Sequence, residues 1–149
     1  MPEVDPLVNT LELWIDVFMR RSMQNLIHYA RKSGLSMSQL GTLYHLSRMG
    51  SSGVSEIGDL LGVTSAAASM MLDRLVQQDL IERSEDPRDR RVKQVVLTGR
   101  GRRVLEESTR TRKAWLNDLA KTLSDPEKAT ITEALDLLVE RVNQFEQPV

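Results

Sequence analysis

No cysteine occurs among the 149 residues. That excludes disulfides, thiolate metal sites, iron–sulfur clusters and cysteine-based catalysis or redox sensing. Two histidines, His28 and His45, are too few for the common zinc sets, so no metal and no cofactor is expected. No apolar run approaches the roughly 18 residues of a membrane span, and no membrane association is expected. The start, Met1–Pro6, is acidic and carries proline, unlike a secretory leader. A glycine-rich phosphate loop is missing as well: Gly99-Arg100-Gly101 has no Lys–Ser/Thr partner. No nucleophile motif surrounds any serine, histidine or aspartate, so the chain is not expected to be an enzyme. Excess charge of one sign is also absent, with 20 basic residues against 21 acidic and a net charge of -1. Bulk charge therefore gives no argument for a polyanion partner. What is present is an ordinary apolar fraction of 40% over a length that suits one domain. The expectation is a soluble, cytoplasmic protein.

The balanced total hides a strong asymmetry. Between Arg83 and Arg103 there are eight basic residues against three acidic ones, and from Ala114 onward three against seven. A basic centre between acidic flanks can turn one positive face toward a polyanion, although a charge cluster alone is more often a solvated surface.

Periodicity and capping signals divide the chain. Asp5-Pro6 opens a long helix with Leu7, Leu11, Trp14, Ile15, Phe18, Ser22 and Leu26 on one face, ending at Gly34. Ser36 and Gln39 have the spacing of a capping box for a second helix that ends near Met49-Gly50. Ser51-Ser52-Gly53 reads as a short turn. A short helix over 54–62 follows, with Ile57, Leu60 and Leu61 turned inward and Gly62 ending it. Thr64 or Ser65 caps the next helix, roughly 65–78, whose buried face is Ala68, Met71, Leu72 and Leu75. Leu80–Ser84 and Val92–Leu97 read as two strands around Asp86-Pro87-Arg88-Asp89, which has turn chemistry. Thr98 caps a further helix. Ser124-Asp125-Pro126-Glu127 reads as a second capping box, opening a last helix with an apolar stripe of Ile131, Leu135, Leu138, Val142 and Phe145.

The order is helix, helix, short helix, tight turn, helix, then an arginine-rich hairpin. That order predicts a mainly α fold with a small two- to three-stranded β-wing, a winged helix-turn-helix. In such a unit the helix after the tight turn presents its outer face to the major groove of double-stranded DNA. Its outer positions here are Ser65, Ala66, Ala67, Ser69, Met70 and Arg74. Hydroxyls there can reach phosphates or base edges, and small apolar residues permit close approach to thymine methyls. Guanidinium groups at the hairpin tip can enter a minor groove or bind phosphate.

Several short motifs, in order and spacing, then carry a resemblance. They are Leu61-Gly62-Val63, Leu72-Asp73-Arg74-Leu75, Leu80-Ile81-Glu82-Arg83, Asp86-Pro87-Arg88-Asp89-Arg90-Arg91, Val96-Leu97-Thr98 and Gly101. Together they resemble the core of the multiple antibiotic resistance regulator (MarR) family, and the flanking helix layout extends the resemblance over nearly the whole chain. The resemblance implies a transcriptional regulator, commonly a repressor, that binds a near-palindromic operator as a homodimer. It implies one domain over 1–149, with 1–34 and 102–149 as dimerisation helices and 35–101 as the DNA-binding lobe. It also implies a small aromatic or phenolic effector held between the dimer helices and that lobe, for which Trp14, Tyr29, Tyr44 and His45 are the candidates. Asp73 matches the family aspartate that pairs with a wing arginine, here Arg91. A buried pair of that kind would cost about 3 kcal/mol or more to break. Arg88 or Arg90 matches the wing tip, and Arg74 a backbone-contacting position.

The chain departs from the family pattern in three places. Met70 stands where many members carry a polar or basic residue. Ala66-Ala67-Ala68 leaves the reading helix poor in hydrogen-bonding groups, which shifts specificity toward the wing, Ser65, Ser69 and DNA shape. Asp79 replaces a glycine before the first wing strand, so it must take a left-handed backbone or the helix must end differently. The rival reading is a winged helix that binds protein instead of DNA, favoured by the scarcity of basic residues on the reading helix.

Overall fold

The computed structural model describes residues 5–85 and 93–145. Among them, six helices and three strands follow in the order α1 (Pro6–Ser33), α2 (Met37–Met49), β1 (Ser51–Gly53), α3 (Val54–Leu61), α4 (Ser65–Gln77), β2 (Ile81–Glu85), β3 (Lys93–Leu97), α5 (Gly99–Lys121) and α6 (Asp125–Phe145). The mainly helical class with a small antiparallel sheet is as the sequence implies. Val92, expected to begin the returning strand, lies outside the described residues.

Local signals set most boundaries. Asp5 accepts the Leu7 amide at 2.8 Å and Pro6 starts α1, where a missing N–H costs nothing. Ser36 and Gln39 form both halves of the capping box of α2, at 3.1 and 2.8 Å. Thr64, not Ser65, caps α4 by accepting the Ala67 amide. The second expected box is only half formed. Glu127 reaches back to the Ser124 amide, but the Ser124 hydroxyl gives its proton to the same carboxylate.

One reading is corrected in the sheet. Ser51–Gly53 is a strand, pairing antiparallel with β3 so that Ser52 lies opposite Val95. The strand order β1-β3-β2 puts β3 in the centre, and its buried backbone must find partners on both edges. Leu60 is a second correction, at 51% exposed. In a two-turn helix the inward line is set by Ile57 and Leu61, four residues apart, and Leu60 points about 80° to one side of it.

The chain divides into two compact units, Met1–Arg112 and Lys113–Val149. The first holds one aliphatic core: Leu26, Tyr29 and Ala30 of α1, Leu40, Leu43 and Leu46 of α2, Ile57 of α3, Leu72 and Leu75 of α4, with Ile81, Val95, Leu97 and Leu105. In the second, α6 carries Ile131, Leu135 and Val142 exposed, with Leu138 half-buried. The side chain of Phe145, the last of that stripe, lies outside the described part. No described helix is long and apolar enough to cross a membrane.

Candidate nucleic-acid interface

The α3–turn–α4 corner depends on two glycines for different reasons. Gly62 ends α3 in the left-handed conformation, φ 65°, which a side chain would strain. Gly58 lies where an added Cβ would stand 3.1 Å from the Val63 carbonyl, so the turn can fold tightly back on α3. This tight corner buries Ala68, Leu72 and Leu75, packs Met71 and Val76 against the core and leaves the opposite face of α4 outward.

Five of the six sequence-proposed positions on α4 are exposed accordingly. Ser65, Ala66, Ala67, Met70 and Arg74 are exposed and Ser69 is half-buried. Met70 is 64% exposed, a large value for an apolar side chain. Arg74 stands across a cleft of about 260 Å³ from Ser36, Ser38 and Gln39 at the start of α2, with Val63, Ala67 and Met71 also lining it.

Asp73 does pair with an arginine of the hairpin, but the partner in the structure is Arg83 on β2, with Nη2 2.5 Å from Oδ1. Both side chains are more than a third exposed, so this is a surface clasp between α4 and the base of the hairpin. Arg91, the partner expected from the sequence, lies outside the described residues, as do the tip residues Arg88 and Arg90. Behind the clasp, Asp79 takes the left-handed backbone, φ 57°, in the position where the family pattern has glycine. Its carbonyl accepts the Thr98 hydroxyl at 2.6 Å, and the Leu80 carbonyl accepts the Thr98 amide at 3.2 Å. Thr98 in turn accepts the Gly101 amide at 3.0 Å, capping α5 as expected. The hairpin is thereby tied to both α4 and α5.

One polar network had no signal in the sequence because its members are non-local, while a second, within residues 45–56, is local, with Glu56 reaching back to the Gly53 amide at capping-box spacing. Tyr44 bonds Ser108 at 2.7 Å and Thr109 at 3.0 Å, joining α2 to α5. Arg112 lies 5.7 Å from the Tyr44 ring centroid, within cation–π range. Elsewhere Ser52 donates to Glu56 at 2.7 Å, the Gly53 amide donates to the same oxygen at 2.9 Å, and His45 Nε2 is 3.3 Å from the Ser52 hydroxyl. The Ser52 and Gly53 hydrogen bonds hold the Glu56 carboxyl below its usual pKa, with His45 a smaller contribution.

Of the four effector candidates, Tyr44 and His45 are brought together. They line a cleft of about 400 Å³ with Gly41, Arg48, Met49 and Leu60. Tyr29 is a core residue whose hydroxyl donates to the Val104 carbonyl at 3.1 Å. Burial, then the Glu107 carboxylate, pushes its phenol above the ordinary value. Trp14 packs near Phe18 on α1, ring centroids 6.4 Å apart. Among the described residues no three carboxylates or histidines are placed to hold a metal ion.

A short bracing helix, a tight turn, a helix with a free outer face and a three-stranded antiparallel sheet together define a winged helix-turn-helix. A family model described as MarR family matches residues 35–93. The HTH-type transcriptional repressor MdtR of Bacillus subtilis is 32% identical over 127 residues, 85% of this chain and 82% of that protein. The chain belongs to the MarR family, whose members are transcriptional regulators and not enzymes. The transcriptional regulator Tm0710 from Thermotoga maritima has the same fold, with a TM-score of 0.77 at 24% identity over 95% of this chain and 99% of that one. A mutant of MarR from Escherichia coli, solved complexed with operator DNA, has a TM-score of 0.55 at 24% identity over 91% of this chain and 98% of that one.

Proposed function

We propose that this chain is a sequence-specific DNA-binding transcriptional regulator, a ligand-responsive repressor acting from the cytoplasm on a near-palindromic operator as a homodimer. The observation that carries this reading is the outer face of α4, turned to solvent and clasped through Asp73 and Arg83 to an arginine-rich hairpin. In this reading residues 65–74 enter a major groove, and Arg88 and Arg90 of the wing reach the adjacent minor groove or its phosphates. The operator-bound state of the Escherichia coli relative supports it.

Pairing of two copies is supported by apolar side chains left exposed on the terminal helices: Leu7, Leu13, Ile15 and Met19 on α1, and Ile131, Leu135, Leu137 and Val139 on α6. Residues 1–34 and 102–149 are the proposed dimerisation segments, with 35–101 as the lobe that binds DNA. The cleft at Tyr44, His45 and Arg48 offers aromatic rings beside the Arg48 guanidinium, which suits a small aromatic or phenolic effector. A protein-binding winged helix is the second reading, favoured by the apolar outer face of α4.

Hydroxyl-radical footprinting on DNA from upstream of the chain's own gene tests the proposal. Two protected half-sites about 34–36 Å apart are expected from a homodimer. Uniform cleavage along the fragment, or one isolated half-site, would count against it.

A further inference from the structure

The outer face of α4 is unusual for a surface that reads bases. Ala66, Ala67, Met70 and Arg74 are spaced three and four apart and so share one side of the helix. Val63, in the turn before it, is 44% exposed and lines the same cleft as Ala67 and Arg74. From Val63 to Asp73 there is no arginine, lysine, asparagine or glutamine. Those four types make the bidentate contacts that identify guanine and adenine in the major groove. The other polar groups of this stretch are largely committed. The Thr64 hydroxyl caps α4, Ser69 is half-buried, and Asp73 is paired with Arg83. Before Arg74, what α4 offers a base edge is one serine, Ser65, and an apolar patch that includes Met70.

The only apolar feature on a base edge in the major groove is the C5-methyl group of thymine. We propose that Met70, flanked by Val63, Ala66 and Ala67, reads thymine methyl groups and is the specificity-determining residue of the recognition helix. This inference rests on the DNA-binding reading above. The charge layout favours DNA as the occupant of the patch over an apolar protein surface. Arg74 borders it on the same helix, and five of the residues from Arg83 to Lys93 are basic against three acidic. Methionine suits the task because its unbranched, polarisable side chain can conform to a methyl group without demanding one geometry. Sequence preference should then appear as fixed thymines in each half-site, with guanine discrimination left to the wing.

The test starts by selecting binders for the full-length chain from a random-sequence duplex pool. The selected duplex is then resynthesised with deoxyuridine in place of thymidine, which deletes only the methyl groups. Fluorescence anisotropy should show binding weakened about fourfold per contacted methyl, and about fifteenfold for one methyl in each of two half-sites. Met70→Ala should bind the two duplexes almost equally and Met70→Leu should retain most of the difference, both with unchanged salt slopes. Because Met70 is exposed, neither variant should lose fold, and circular dichroism checks this. A selected consensus bound equally well with and without its methyls would overturn the inference and leave the DNA-binding reading standing. A pool with no enriched sequence would overturn both and assign the patch to a protein partner.

Discussion

Replacing Gly101 by alanine should loosen the joint between the hairpin and α5. A Cβ at this position would stand 2.1 Å from the Leu80 carbonyl oxygen and 3.1 Å from the Leu97 Cδ2 atom. Carbon–oxygen contacts are comfortable only near 3.3 Å, so the start of α5 must retreat by roughly 1 Å. The Thr98 amide bond to that same carbonyl is already 3.2 Å long and would not survive the retreat. Overpacking costs about 1–3 kcal/mol, and a lost hydrogen bond about 0.5–1.5 kcal/mol. The better helix propensity of alanine returns up to about 1 kcal/mol. The net expectation is a loss of about 2–3 kcal/mol, or a Tm lowered by roughly 5–10 °C for a chain of this size. Gly99→Ala is the matched control, since a Cβ there meets only the end of the Arg103 side chain at 3.7 Å. Urea unfolding at one fixed protein concentration should separate the two variants, with Gly99→Ala close to wild type. Equal midpoints for the two alanine variants would refute the steric reasoning.

Further outcomes follow from the same geometry. Asp79→Gly should raise stability by about 0.5–1 kcal/mol by relieving the left-handed backbone, and a lower urea midpoint would mean the aspartate side chain holds the turn. Asp73→Ala should cost only about 0.2–1 kcal/mol, because the Arg83 pair is exposed, while still weakening DNA binding measured by anisotropy; a loss above 3 kcal/mol would show that the carboxylate is buried in solution. Glu56 is held below its unfolded pKa of about 4.3, so its stabilisation is complete above that value and disappears as pH falls through the lower folded value. Glu56→Gln should therefore differ most from wild type at neutral pH and converge with it as the pH falls below the ordinary carboxylate range, and a gap that does not change with pH would refute the assignment. Arg90→Ala should weaken binding to all DNA sequences alike and flatten the salt dependence, and an unchanged slope would remove Arg90 from the phosphate contacts.

What the sequence disclosed and what it hid divide by range. The Ser36–Gln39 box, the Gly34 and Gly62 helix ends, the Thr98 cap and the buried line Ala68–Leu72–Leu75 all rest on contacts within four residues or on one helix period, so the one-dimensional pattern carries them. The left-handed Asp79 was also foreseeable, because a glycine position in the motif fixes the backbone whatever residue occupies it. Ser51–Gly53 was not, since two serines and a glycine have little strand preference and become a strand only because β3 needs a partner on that edge. The Tyr44–Ser108–Thr109 link and the Asp73–Arg83 pair depend on elements meeting across the fold, which spacing does not encode. At the candidate interface, the helix itself was legible from its spacing, and Ser65, Ala66, Ala67, Met70 and Arg74 are exposed on it while Ser69 is half-buried. The apolar character of its outer face was visible too, but its exposure required the packed structure.

The central claim is that α4 and the wing bind a particular DNA sequence. Fluorescence anisotropy should compare DNA from upstream of the chain's own gene with a scrambled fragment of equal length, each at two salt concentrations. The account predicts tight binding that favours the native fragment and weakens steeply with salt. Equal, weak binding to both fragments would contradict it.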